Sequence, residues 1–135
     1  MIFSSNFKCL FNIYIVAFFL MVGCNSYAPL GEAITKTGDH NYESGVKLSV
    51  IESYGLIEYQ LKGKDDGVLI ESKTRASMYQ NWIIVWDGTY LWFSSSDIGS
   101  VVWVNEGGKY ISNKLMKKSQ LRKKMPDDIK KFTNY

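Results

Sequence analysis

Between residues 46 and 112 the chain runs in short apolar stretches, rich in β-branched and aromatic residues and broken by Gly, Asp and Asn. That rhythm predicts strands and tight turns, because branched and ringed side chains pack on a pleated surface while Gly and Asx residues supply turn conformations. Strands are predicted over residues 46–51, 56–61, 68–73, 81–86, 89–95, 100–105 and 109–112. Asp87-Gly88 reads as a two-residue hairpin loop, since both of its positions need positive φ and Gly adopts that without steric cost. Gly107-Gly108 reads as a second such loop, and residues 96–99 as a four-residue connection between them.

Those loops imply a register. Val85 is expected opposite Tyr90, Ile83 opposite Trp92, Ile84 opposite Leu91 and Trp82 opposite Phe93. Further along, Phe93 is expected opposite Val102 and Trp92 opposite Trp103. One face of the meander then gathers Trp82, Ile84, Trp86, Leu91, Phe93, Val102, Val104 and Ile111. The other gathers Ile83, Val85, Tyr90, Trp92, Val101, Trp103 and Tyr110. Both faces are apolar, so each needs a cover. The first three strands supply one, and the expected fold is all-β: a small antiparallel meander closing into a sandwich or barrel, with a short C-terminal helix. For the second face two readings stand. Either the C-terminal segment or the sheet's own curvature buries it as core, or the rings of Tyr90, Trp92, Trp103 and Tyr110 form a binding face.

Residues 114–124 (KLMKKSQLRKK) carry Leu115 and Leu121 too sparsely for a good apolar stripe. The helix is better marked after them. Pro126 suits a first helical position, Asp127 and Asp128 follow, Lys130 and Lys131 come later, and Ile129 and Phe132 lie three apart on one side.

At the other end of the chain, residues 10–22 form an apolar run of 13 behind a lead carrying one cation, Lys8. A membrane-spanning helix needs about 20 apolar residues, whereas this length fits the core of a secretory signal. The run ends in Met21-Val22-Gly23-Cys24, which resembles a bacterial lipobox. The resemblance covers these residues and the run before them, and no family is recognised for residues 44–135. It implies a diacylglycerol thioether on Cys24, cleavage between Gly23 and Cys24 by signal peptidase II, and acylation of the new amino terminus with a chain such as palmitate. Asn25 in place of Asp further implies forwarding to an outer membrane, facing the periplasm, in a host that has one. Without the resemblance, the same run reads as an uncleaved anchor or as an ordinary secretion signal with an incidental cysteine. With it, Cys9 is removed and Cys24 is consumed, so no disulfide is expected and the body must hold together by its core.

Residues 25–43 show neither helical nor strand period and read as a flexible tether, about 60 Å long if extended at roughly 3.3 Å per residue. The lone histidine, His40, falls within it, so no catalytic histidine is expected in the folded body. The organisation expected is a removed signal peptide over 1–23, a lipidated Cys and flexible tether over 24–43, an antiparallel β domain over 44–113 and a basic tail with a short helix over 114–135.

Charge is unevenly spread. Residues 24–108 carry six Lys or Arg against eleven Asp or Glu, while residues 109–135 carry nine against two. Lys117, Lys118, Arg122, Lys123 and Lys124 are therefore candidate contacts to an anionic surface, or else a solvated basic face that balances the acidic body. Export argues against a nucleic-acid partner. Asp87 and Glu106, at turns on one end of the meander, form the sole carboxylate pair of interest, but the turn itself asks for Asp in Asp-Gly. No enzyme, catalytic residue, cofactor or metal site is expected. The expected role is a membrane-anchored binding or structural module of the bacterial cell envelope. Its expected partners are the membrane, through the lipid on Cys24, and an envelope protein. The other reading is an inhibitor or immunity protein against an exported enzyme such as a cell-wall hydrolase.

Overall fold

All seven predicted strands form in a computed structural model that describes residues 26–114 and 119–133. They are β3 (Lys47–Ser53), β4 (Leu56–Lys62), β5 (Val68–Ser77), β6 (Trp82–Trp86), β7 (Leu91–Ser95), β8 (Gly99–Glu106) and β9 (Lys109–Lys114). Two more precede them, β1 (Ala33–Ile34) and β2 (Gly38–Asn41), and two short helices follow, α1 (Ser119–Arg122) and α2 (Asp127–Thr133). Every strand pair is antiparallel, in one sheet of order β1-β6-β7-β8-β9 and another of order β2-β3-β4-β5. The fold is all-β, two sheets face to face with a helix near the C-terminus.

The sheets differ in wetness, and the sequence shows why. In β4 burial alternates, with Ile57, Tyr59 and Leu61 inward and Glu58, Gln60 and Lys62 outward. Its sheet buries one face, as the period-two pattern dictates. In β6 and β7 all ten positions are buried. Trp82, Ile84, Trp86, Leu91 and Phe93 pack on Leu48, Val50, Ile57, Leu61 and Ile70 of the opposite sheet. Ile83, Val85, Trp92 and Val102 lie on the other side, under Leu121, Met125 and Ile129 of the C-terminal segment. Helix α2 forms where Pro126 pre-sets the first turn; the Lys130 amide bonds the Pro126 carbonyl (3.0 Å), and acidic residues lie early and basic ones late, complementing the helix dipole. Each buried apolar side chain in this lid contributes about 1.5–3 kcal/mol.

The register departs from expectation in two loops. β6 and β7 are joined by four residues, 87–90, with Trp86 opposite Leu91 and Ile84 opposite Phe93. The Asp87 carboxylate opens the loop by accepting from the Thr89 amide (2.8 Å), the Tyr90 amide (2.7 Å) and Trp92 Nε1 (3.0 Å). That change spans two residues and leaves the faces of β6 and β7 as predicted. Between β7 and β8 Gly99, at φ +84°, joins the ladder opposite Ser95 and leaves a three-residue loop. One residue of slip turns every β8 side chain over. Trp103 therefore lies opposite Leu91, not Trp92, and Val102 lies opposite Trp92, not Phe93. Gly107-Gly108 forms the predicted two-residue turn, both residues at positive φ, with Glu106 opposite Lys109.

The segment read as a tether is largely folded. β1 pairs with β6, β2 pairs with β3, and Ile34 and Tyr42 are buried in the core. The main chain is held from Ala28, whose amide bonds the Asn41 carbonyl (2.7 Å), and again at Gly31, whose amide bonds the Trp86 carbonyl (2.8 Å). Two residues of β1 are too few to show a period, and β2 (GDHN) is a polar edge strand without one. His40 thus sits in the body, opposite Leu48, contrary to the expectation of a body without histidine.

Candidate functional site

The four rings expected on one face are divided between two. Trp92 is fully buried beneath the C-terminal lid, where Tyr90 packs against it edge-on at 5.8 Å. Trp103 and Tyr110 turn inward between the sheets, Trp103 Nε1 donating to the Tyr59 hydroxyl (2.8 Å) and Tyr110 meeting Trp86 edge-on at 6.3 Å. The flipped β8 register separates them, and as a set they present no surface. Cys24, Lys117 and Lys118 lie outside the described residues. Arg122, Lys123 and Lys124 are exposed; Lys124 Nζ donates to the Tyr90 hydroxyl (2.9 Å) and stands 5.3 Å from the centre of that ring. Asp87 is committed to its turn. Among the described residues no cluster of three His, Cys, Asp or Glu is placed to hold a metal ion, and no helix is long and apolar enough to cross a membrane.

A different surface emerges at one end of the sandwich, where three connections meet. The β3–β4 hairpin turns through Tyr54-Gly55, at φ +51° and +77°. Such a two-residue turn needs positive φ at both positions, which Gly adopts freely and a tyrosine only at a cost of about 1–2 kcal/mol. No burial offsets that cost, because the Tyr54 side chain is fully exposed. Tyr79 lies beside the turn; a Cβ on Gly55 would stand 3.7 Å from its Cε2, and the ring is 86% exposed. Leu56, Met78 and Ile98 add exposed apolar surface at the same end.

This end is braced by hydrogen bonds. β5 reaches it through a bulge of residues 74–76 opposite Ile57, where the Thr74 hydroxyl donates to the Ile57 carbonyl (2.6 Å) and accepts from the Ala76 amide (3.0 Å). The Met78 amide bonds the Gly55 carbonyl (2.9 Å), and the Ser96 amide bonds the Asn81 carbonyl (2.9 Å). Asp97 ties two loops together, accepting from the Ser95 hydroxyl and from the Ser77 amide (2.8 Å). Those bonds hold its carboxyl below the ordinary value. Ser94 and Ser95 are buried beneath, whereas residues 96–98 stand exposed.

Sequence reading reaches this end only through residues 94–98, the edge an inhibitor would have to present, and passes over Tyr54 and Tyr79. The available signal was that Tyr54 and Tyr79 fall between predicted strands, next to Gly55 and Gln80, where nothing in the core asks for a ring. No family model, curated protein or solved structure matches this chain.

Proposed function

We propose that this chain is a bacterial envelope lipoprotein, anchored through a lipid on Cys24, whose β body is a binding module that presents the Tyr54/Tyr79 end to a protein partner. One observation carries the binding half of the reading: a fully exposed tyrosine held at a left-handed φ on a braced platform. Strain without packing benefit is characteristic of functional positions, and Tyr is enriched at protein-binding hot spots. The lipobox-like Met21-Val22-Gly23-Cys24 supports the anchor.

The exposed 96–98 loop, fixed at its base by Asp97, favours one alternative, an inhibitor that inserts this loop into an exported enzyme such as a cell-wall hydrolase.

The anchor is tested by Cys24→Ser, expected to leave the precursor uncut or release the protein from membranes; normal processing with full retention overturns it. The binding end is tested with a photoreactive residue at position 54 in bacterial cells. One dominant adduct is expected, lost in Tyr79→Ala and absent when the probe sits at Lys73 on the outer sheet face. The same adducts from both positions, or none, overturn the reading. If the captured protein is a wall hydrolase that the purified chain inhibits, the inhibitor alternative holds.

A further inference from the structure

We infer that the opposite end of the sandwich, where the chain enters, is a bilayer-apposed face that rests on anionic lipid headgroups along its helix-covered side. This rests on the lipid anchor proposed for Cys24. The leash is the first argument. The main chain is fixed from Ala28, four residues beyond Cys24. Four residues span at most about 14 Å, against the roughly 60 Å of an unfolded tether. Tyr54 stands at the far end of β3 from Lys47, about 20 Å along the strand at roughly 3.3 Å per residue. With so short a leash the entry end has no choice but to stay at the membrane, and the Tyr54/Tyr79 end is carried away from it.

The chemistry of that end is the second argument. Tyr27 and Leu30, just inside the leash, are both more than half exposed. Leu30 lies over the 87–90 loop, since a Cβ on Gly88 would stand 3.3 Å from its Cδ1. The same loop carries Tyr90, whose hydroxyl receives Lys124, and Lys123 is exposed beside it. Apolar side chains at the interface with cations next to them suit an anionic headgroup layer. Of the carboxylates at this end, Glu43, Asp65 and Asp66 belong to turns of the other sheet, Glu106 lies beside Lys109, Asp87 is engaged in its own loop and Glu32 is exposed two residues beyond Leu30; on the helix side Asp127 and Asp128 are outnumbered by Arg122, Lys123, Lys124, Lys130 and Lys131. The domain therefore leans on its helix side.

The test is hydroxyl-radical footprinting of the full-length chain, isolated from bacterial membranes, on phosphatidylglycerol-containing and on purely zwitterionic vesicles. Oxidation of Tyr27 and Leu30, relative to Tyr54 and Tyr79 in the same sample, is expected to fall at least about threefold from that of the Cys24→Ser chain in solution. The fall should be larger on phosphatidylglycerol, and Lys123→Glu with Lys124→Glu should erase that difference. Equal oxidation of the two ends, protection of Tyr54 and Tyr79, or indifference to lipid charge overturns the inference. Intact mass of the same sample reads the lipid on Cys24 separately. A bare Cys24 sinks the anchor, and orientation is then read on a Cys9→Ser chain carrying a maleimide lipid at Cys24, where protection of Leu30 sustains the face and its absence overturns it.

Discussion

Tyr54 is the residue at which this fold departs most plainly from local preference. Asn tolerates left-handed φ far better than an aromatic residue, so Tyr54→Asn is expected to raise stability by about 0.5–1 kcal/mol while abolishing capture of the partner. Denaturant titration checks the first effect and cross-linking from a neighbouring probe at position 79 the second. Asp87 shows the limit of what one residue reveals in sequence. Beside Gly88 it reads as a two-residue turn, whereas its carboxylate serves two amides and the Trp92 indole in a four-residue loop. The amides, two and three residues on, are local Asx-turn partners, and the indole joins them only once β7 forms. Gly107-Gly108, in contrast, has its whole cause in two adjacent glycines and was fully legible.

At the scale of elements, the strands were legible because their apolar content is dense and their breakers are clear, and the dry meander followed from two apolar faces. Its second cover follows too: Pro126, Asp127, Ile129 and Phe132 mark α2, and Ile129 is completely buried on Ile83, Val85 and Trp92. Ile129→Ala is expected to cost about 2–5 kcal/mol, measured by denaturant titration, because the lid is too short to repack around the cavity. The predicted aromatic face failed for a single reason. Face assignment carries parity, so a loop one residue shorter than counted exchanged Trp103 for Val102 and moved Tyr110 inward with it. β1 and β2 were missed for the opposite reason, since short polar edge strands owe their conformation to the strands they join.

For the molecule as a whole, stability at high pH is set from inside. Burial, with Glu32 nearby, pushes the Tyr42 phenol up to about 12, and burial raises Tyr59 as well despite hydrogen bonds with Ser72 and Trp103 that act the other way. Both must lose a proton in a place that disfavours the anion. Their raised values mean that the stability tied to the neutral phenols is complete below about pH 10 and lost as pH climbs towards 12. Thermal melts across that window should show a falling midpoint, shallower in Tyr42→Phe; an unchanged slope counts against Tyr42 as a source of the loss.

The two-residue ladder of β1 also sets how the molecule yields to force. A pull applied through Ser26 loads the Ala28 and Gly31 amide bonds and then the Ala33 and Ile34 pairs, whose partner strand β6 is held in place by its five buried positions. The clasp gives way first and pays out 12 residues, 26–37, or about 40 Å of chain when extended, before the four-pair β2–β3 ladder takes the strain. The protein is thereby fitted with a mechanical fuse at its point of entry, able to lengthen under tension while most of its core keeps its packing.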